Sequence, residues 1–350
     1  MLGTLFSVAK GIREHGASSA LDQILAVQDR KMQNLTTVHY PSENAEPRHT
    51  FTSNVPISET HMGRMTGQQR MTMLPLMGKL MLEMNKGGNF YKKQFKPTQQ
   101  EATPEFIAEL KQLAFEHGAT AVKFAKVPED SIFTGKSIPE PYAVVFTVKM
   151  DKEQIDTAPS FEAFLEVAKG YKRMAIISNI VSDFMRDSGY AAYPGTALGG
   201  LTDYSRIAEV AGLGAIGYHG LLITPDEGAL LRINTIYTNI TNLPIEEENP
   251  HTWVRDFCAK CNKCIRKCPV KAIFDQPKVQ ANGRVKCIDG KTCLDYFAAN
   301  HGCGICIDVC PFSQVGYDVI HERFKGNPDA PFYDIPMPVA QAEPIAEVMS

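Results

Sequence analysis

Residues 258–269 read CAKCNKCIRKCP, and residues 303–311 read CGICIDVCP. The first run is Cys258-x2-Cys261-x2-Cys264-x3-Cys268 followed by Pro269. With this spacing a tight loop places three thiolates on one iron–sulfur cubane while the fourth ligates a neighbouring one. The second run, Cys303-x2-Cys306-x3-Cys310-Pro311, is the same motif with Asn300 where its first cysteine should stand. One ligand must therefore come from elsewhere. By the crossing rule, the first cluster takes Cys258, Cys261, Cys264 and Cys310, and the second takes Cys268, Cys303, Cys306 and either Cys293 or Cys287. Cys293 lies ten residues before Cys303, far enough to loop back, and is the preferred ligand. Cys287 is then a spare thiol. A structural zinc site is the alternative, although zinc takes four ligands without this interlocked pattern. The reading is two 4Fe-4S clusters in a ferredoxin-like module over residues 250–320.

All nine cysteines lie between 258 and 310 of a 350-residue chain, a crowding that points to metal rather than disulfides when no export signal is read. The start, MLGTLFSVAKGIREHG, has neither the apolar run and cleavage site of a secretory signal nor a twin-arginine pair. No stretch approaches the roughly 18 apolar residues of a membrane span. A cytoplasmic protein with no membrane span is expected. A net charge of −3 gives no electrostatic case for nucleic acid as a partner. Around the first motif stand Arg255, Lys260, Lys263, Arg266, Lys267 and Lys271. They suit the docking of an acidic ferredoxin or flavodoxin-type electron donor, or simply form a solvated face.

Ahead of the cysteines, PEFIAELKQLAFEH from 104 has helical apolar spacing, and TAVKFAKV and PYAVVFTVKM read as strands. Ser160 can cap a long helix to about Asp187, and a shorter helix falls near 203–211. It leads into AGLGAIGYHG at 211–220, and LLITPDEGALLRINTIYTNI then reads as two strands joined by a Pro-Asp-Glu-Gly turn. This mixture, with an apparent hairpin, favours an α+β fold. Seven of the fourteen methionines fall between Met62 and Met84. They read as the filling of a helix interface or as a flexible apolar surface over a large ligand. The divisions are 1–100, of unassigned role; 101–245, the main domain; 250–320, the cysteine module; and 321–350, a proline-rich tail that wraps the surface or is partly disordered.

The succession AGLGAIGYHGLLITPDEGALLRINTIYTNI, the CxxCxxCxxxCP run, and Cys293-x9-CGICIDVCPF resembles the cobalamin-dependent iron–sulfur reductases. These include the reductive dehalogenases and, more distantly, epoxyqueuosine reductase, and the likeness covers about 105–320. The resemblance implies a nitroreductase-like corrinoid-binding domain holding cobalamin with its lower base displaced, and clusters that reduce the cobalt. It implies a cradle containing Gly212, Gly214, Gly217, His219, Gly220, Leu221 and Thr224. Glycines there permit close backbone approach to a large ligand. It also implies a catalytic tyrosine on the long helix, at Tyr171 within GYKRM. A phenol serves as an acid near pH 7 only with a cation beside it. Where the family carries two basic residues, GALLR has Leu230 and Arg232, so one is missing. Ala197 stands where an asparagine is expected and Gly170 where epoxyqueuosine reductases carry an aspartate. The reading is a reductase of a small-molecule substrate, not necessarily halogenated. The alternatives are a true reductive dehalogenase and a non-catalytic electron-transfer protein.

Overall fold

Apolar residues fill YAVVFTVK almost without interruption, so this strand must be covered on both faces. In the computed structural model the described residues are 53–281 and 284–325, with 25, 29–32, 35, 38–43 and 45–48 ahead of them. The start of the chain and the proline-rich tail beyond Lys325 lie outside these residues. The principal elements begin with α1 (Gly67–Asn89), α2 (Pro104–Glu116), β1 (Ala121–Lys126), β2 (Tyr142–Lys149), α3 (Phe161–Asp187), β3 (Ala192–Pro194) and α4 (Tyr204–Val210). Next come β4 (Ala215–Ile216), β5 (Leu222–Ile223), β6 (Leu231–Thr238), α5 (Trp253–Cys261) and α6 (Lys263–Lys267). The last are β7 (Ile273–Val279), β8 (Val285–Ile288), α7 (Gly290–Ala299), α8 (Ile305–Asp308), α9 (Pro311–Gln314) and α10 (Tyr317–Lys325).

The main sheet is antiparallel, in the order β1-β2-β6-β3. On one face Phe124, Val144, Phe146 and Val148 meet Leu110 of α2 and Met174, Ile177 and Val181 of α3. On the other, Ala143, Val145 and Tyr237 meet Ile207 and Ala208 of α4. The long helix is capped as expected, since Ser160 Oγ accepts the Ala163 N–H at 3.0 Å. The methionine-rich segment becomes α1, opened by a Thr66–Gln69 capping box. Its Leu80 and Met84 pack on Ala175 of α3, while Met73 packs with Phe161 and Ala168.

One expected element is corrected. LLITPDEG does not form a hairpin with the strand that follows it. β5 pairs with β4, and β6 pairs with β2 and β3. Thr224 Oγ1 donates to Glu227 at 2.9 Å and the Thr224–Gly228 bridge closes the turn within five residues. The chain then leaves the small ribbon for the main sheet.

No membrane-spanning helix is found among the described residues, none being long and apolar enough. The cysteine module is not loosely attached. Met150, Ala215, Ile223 and Leu230 share one buried cluster with Trp253, Phe257, Ile307 and Phe312. This common core fixes the cysteine loops against β4, β5 and the start of β6.

Candidate functional site

None of the nine cysteines is in a disulfide. Burial, and then Cys310, Cys264 and Cys261, holds the Cys258 thiol well above its ordinary range. Burial, with Cys310 and Cys261 nearby, pushes Cys264 up to about 12. Burial alone accounts for most of the rise of Cys310 to about 12, and Cys261 adds to it. A second group forms around Cys293, raised to about 11 by burial and then by Cys303 and Cys268. Cys306 is raised by burial and then by Cys264, Cys303, Cys293 and Cys310, so it stands between the groups. Cys287 is raised to about 11 by burial, but what surrounds it is Arg255 and Glu209, not other thiols. Among the described residues, no three His, Cys, Asp or Glu side chains close on a point suited to a single metal ion.

Backbone N–H groups are aimed at these sulfurs. The Ala272 N–H donates to Cys268 Sγ at 3.2 Å. Tyr218 does the same for Cys258, Lys263 for Cys261, Gly304 and Ile305 for Cys303, and Phe312 and Ser313 for Cys310. Such bonds favour thiolate over thiol and set the potential of a cluster bound there. His301, Gly302, Cys303 and Gly304 all have positive φ, at 47°, 73°, 46° and 93°. That backbone is costly for a non-glycine residue and is held only where its surroundings demand it.

The glycine-rich segment belongs partly to this same wall. A Cβ on Gly217 would meet Ile223 Cδ1 at 2.6 Å and Cys258 Sγ at 3.5 Å. On Gly214 it would collide with the Ile223 carbonyl, and on Gly212 it would meet Glu246. Close approach at these three is therefore to the chain itself. Thr224 holds the turn after β5. Of the seven cradle positions, Gly220 and Leu221 line a cavity of about 360 Å³ whose walls include Tyr218, Arg255, Cys287 and Arg284. His219 is buried, its Nδ1 accepting the Leu221 N–H at 3.1 Å. Its Nε2 has no partner. Burial lowers its pKa to about 4, so the imidazole is neutral.

Tyr171 stands apart from that cavity. It is half-buried on α3 beneath α1, among Leu80, Met84, Ala197 and the partly buried Met77 and Met81. The guanidinium of Arg232 lies over its ring, 5.1 Å from the centroid, and Arg232 Nε is buried without a hydrogen-bond partner. Leu230 is buried in the core shared with the cysteine module. Of the two basic positions, the arginine that remains, Arg232, is the one over the Tyr171 ring, and its side chain passes against the small Gly170.

Two further points escaped the sequence. Glu209 is a buried carboxylate that accepts from Arg255 at 2.6 Å and from the Ile216 N–H at 2.9 Å, tying α4 to β4 and α5. This pairs Arg255 with a carboxylate, although its side chain is still 40% exposed. Lys260 lies over Phe324, and Arg266 donates to the Cys261 carbonyl at 3.0 Å. A carboxylate seven residues ahead of its backbone partner has no sequence signature. The cover that α1 gives Tyr171 was equally hidden, because residues 1–100 carried no motif.

No protein-family model matches the chain. It is 33% identical over 181 residues to the tetrachloroethene reductive dehalogenase of Sulfurospirillum multivorans, which covers 49% of this chain and 35% of that protein. The enzyme of the same name from Desulfitobacterium hafniense is 34% identical over 187 residues, 49% of this chain and 33% of its own. An epoxyqueuosine reductase from Synechocystis sp. is 37% identical over 119 residues, 31% of this chain and 38% of that one. The solved structure of a catabolic reductive dehalogenase with 3-bromo-4-hydroxybenzoic acid superposes on 85% of this chain and 47% of its own, at a TM-score of 0.65 and 21% identity. Another, whose structure suggests a mechanism for B12-dependent dehalogenation, matches 84% of this chain and 47% of its own at a TM-score of 0.64 and 22% identity. The chain spans about a third of the length of these curated dehalogenases and under half of the solved ones. In sequence it is a relative of tetrachloroethene reductive dehalogenases and epoxyqueuosine reductases, and its fold is similar to just under half of a solved reductive dehalogenase.

Proposed function

We propose that this chain is a corrinoid- and iron–sulfur-dependent reductase of a small organic substrate, with two 4Fe-4S clusters relaying electrons to cobalt. The observation that carries the reading is the division of eight cysteines into two groups that meet at Cys264, Cys306 and Cys310. In this reading the first cluster takes Cys258, Cys261, Cys264 and Cys310, and the second takes Cys268, Cys293, Cys303 and Cys306. Cys287 is the spare thiol, since no other cysteine contributes to its shift. The donor set fits two cubanes, being grouped, wholly or partly buried and supplied with N–H groups at sulfur.

For the corrinoid, the fit rests on the cavity beside the first group, which would take only part of so large a ligand, and on Gly220 and Leu221 in its wall. It rests too on the buried, unpartnered Nε2 of His219, next in the chain but outside that wall. Of the seven cradle positions, Gly220 and Leu221 are those in the cavity wall. A bound corrinoid would supply cobalt able to carry electrons to an organic substrate. The protein's own part is to exclude water and deliver a proton. Tyr171 is the candidate acid on the resemblance alone, since it stands outside the cavity given to the corrinoid, and Arg232 over its ring would stabilise the phenolate left behind. The main sheet with its helices forms the nitroreductase-like domain, and residues 250–320 form the ferredoxin-like module. Lys263 and Lys267 remain suited to an acidic ferredoxin or flavodoxin-type donor.

A second reading, true reductive dehalogenation, gains from the Tyr171–Arg232 pair and from the dehalogenase relatives. Turnover with the holo-protein tests both. Tyr171→Phe should keep cofactors and clusters while lowering the rate about a hundredfold to ten-thousandfold, the range for lost general-acid help. Native-like rates in that variant return Tyr171 to a packing role. Fast turnover of tetrachloroethene by the native chain selects the dehalogenase reading.

A further inference from the structure

We propose that His61 and Arg64 form a clamp that positions the loop of the second cluster, an inference that rests on the assignment of that cluster above. Helix α7 carries Cys293, and its last carbonyls lie just ahead of Cys303. The final four carbonyls of a helix have no partner within it. Gly302 N–H closes on the Phe297 carbonyl at 3.0 Å, with His301 left-handed between them, as in a Schellman ending. The next two carbonyls are met from far along the chain. His61 Nδ1 lies 2.7 Å from the Ala298 carbonyl, which makes it the donor, and the Arg64 guanidinium donates to the Ala299 carbonyl.

Other contacts hold the clamp in place. The His61 ring is 6% exposed and meets the edge of Phe164 of α3 at 4.4 Å between centroids. It lies 5.9 Å from the ring of His301, two residues before Cys303. The Asn54 N–H donates to Asp295 of α7 at 2.9 Å. Arg64 also places a cation at the negative end of the α7 dipole. Residues 54–64, ahead of α1, thus fasten the end of the helix that carries Cys293 and the left-handed turn that presents Cys303. The clamp touches neither the first group of cysteines nor Tyr171, so it is a positioning device for one cluster.

The test is the release of iron to a chelator from the anaerobically reconstituted holo-protein, with the two clusters told apart by their electron paramagnetic resonance. His61→Phe keeps a ring against Phe164 and removes the donor, whereas His61→Gln keeps a donor. Losing one hydrogen bond from the closed loop should speed release from the second cluster about tenfold in His61→Phe and in Arg64→Ala. His61→Gln should stay near the native rate, and the first cluster should be unchanged in all three. Arg64 is exposed, so its variant carries the test if His61→Phe does not fold. Native release rates in both variants, or equal acceleration of both clusters, overturn the clamp. A native chain that takes up no iron overturns the cluster assignment itself and the clamp with it.

Discussion

At the scale of residues, the decisive choice lies between Cys293 and Cys287. Both thiols are raised to about 11, Cys287 buried and Cys293 partly so, but only Cys293 owes part of its rise to other cysteines. Cys293→Ser should therefore lose about half the bound iron, whereas Cys287→Ser keeps all of it, measured as iron per chain. Equal loss, or loss in Cys287→Ser alone, reverses the assignment. His219 gives a pH signature. Its folded pKa of about 4 lies below the ordinary 6.5, so the unfolded chain binds the extra proton. The stability it contributes is present above about pH 6.5 and is lost as the pH falls toward 4, by at most about 3 kcal/mol. Thermal melts of native and His219→Gln holo-protein should diverge less at pH 5 than at pH 7. A constant difference would show that His219 does not titrate in this way. Seven of the eight thiol assignments followed from the spacing, because cluster loops are local in sequence. Arg232 was named from the resemblance as the one basic residue kept, but its place over the Tyr171 ring was not legible, since it reaches Tyr171 from another element.

At the scale of elements, the helices and the longer strands of residues 104–238 were legible from periodicity and caps, whereas the short β3 and β4 carried no pattern. The pairing of β5 was not legible either. A Pro-Asp-Glu-Gly turn between two apolar runs reads as a hairpin, yet a strand of two residues is too short to dictate which neighbour it joins. The glycines were also legible as sites of close approach, but not the identity of what approaches. Gly214 and Gly217 admit the β5 backbone, the Ile223 side chain and the Cys258 sulfur. Gly214→Ala should therefore lower stability by about 1–3 kcal/mol through overpacking against a backbone carbonyl that cannot move aside. At Gly220 an alanine Cβ would lie 3.5 Å from Cys287, an ordinary contact, and its cost comes mainly from φ of 77°. About 1 kcal/mol is typical of a left-handed non-glycine residue. Melting temperatures should fall further in Gly214→Ala than in Gly220→Ala, and the opposite order would mean that the ribbon of β4 and β5 is looser than its contacts imply.

At the scale of the whole molecule, the parts are fastened by shared cores rather than by a linker. The cluster around Trp253 and Phe257 joins the cysteine module to the sheet domain, while α1 covers Tyr171 and residues 54–64 hold α7. Binding of two clusters and a corrinoid should consequently stabilise one cooperative unit. The most direct measurement is the iron and cobalt content of the anaerobically reconstituted chain, taken with its absorption spectrum after cobalamin is supplied. About eight irons and one cobalt per chain, with the absorption of cobalamin whose lower base is displaced, are expected if two cubanes feed a corrinoid. Iron with bound flavin, or iron with no uptake of cobalamin, would contradict the reductase proposed here and leave an electron carrier in its place.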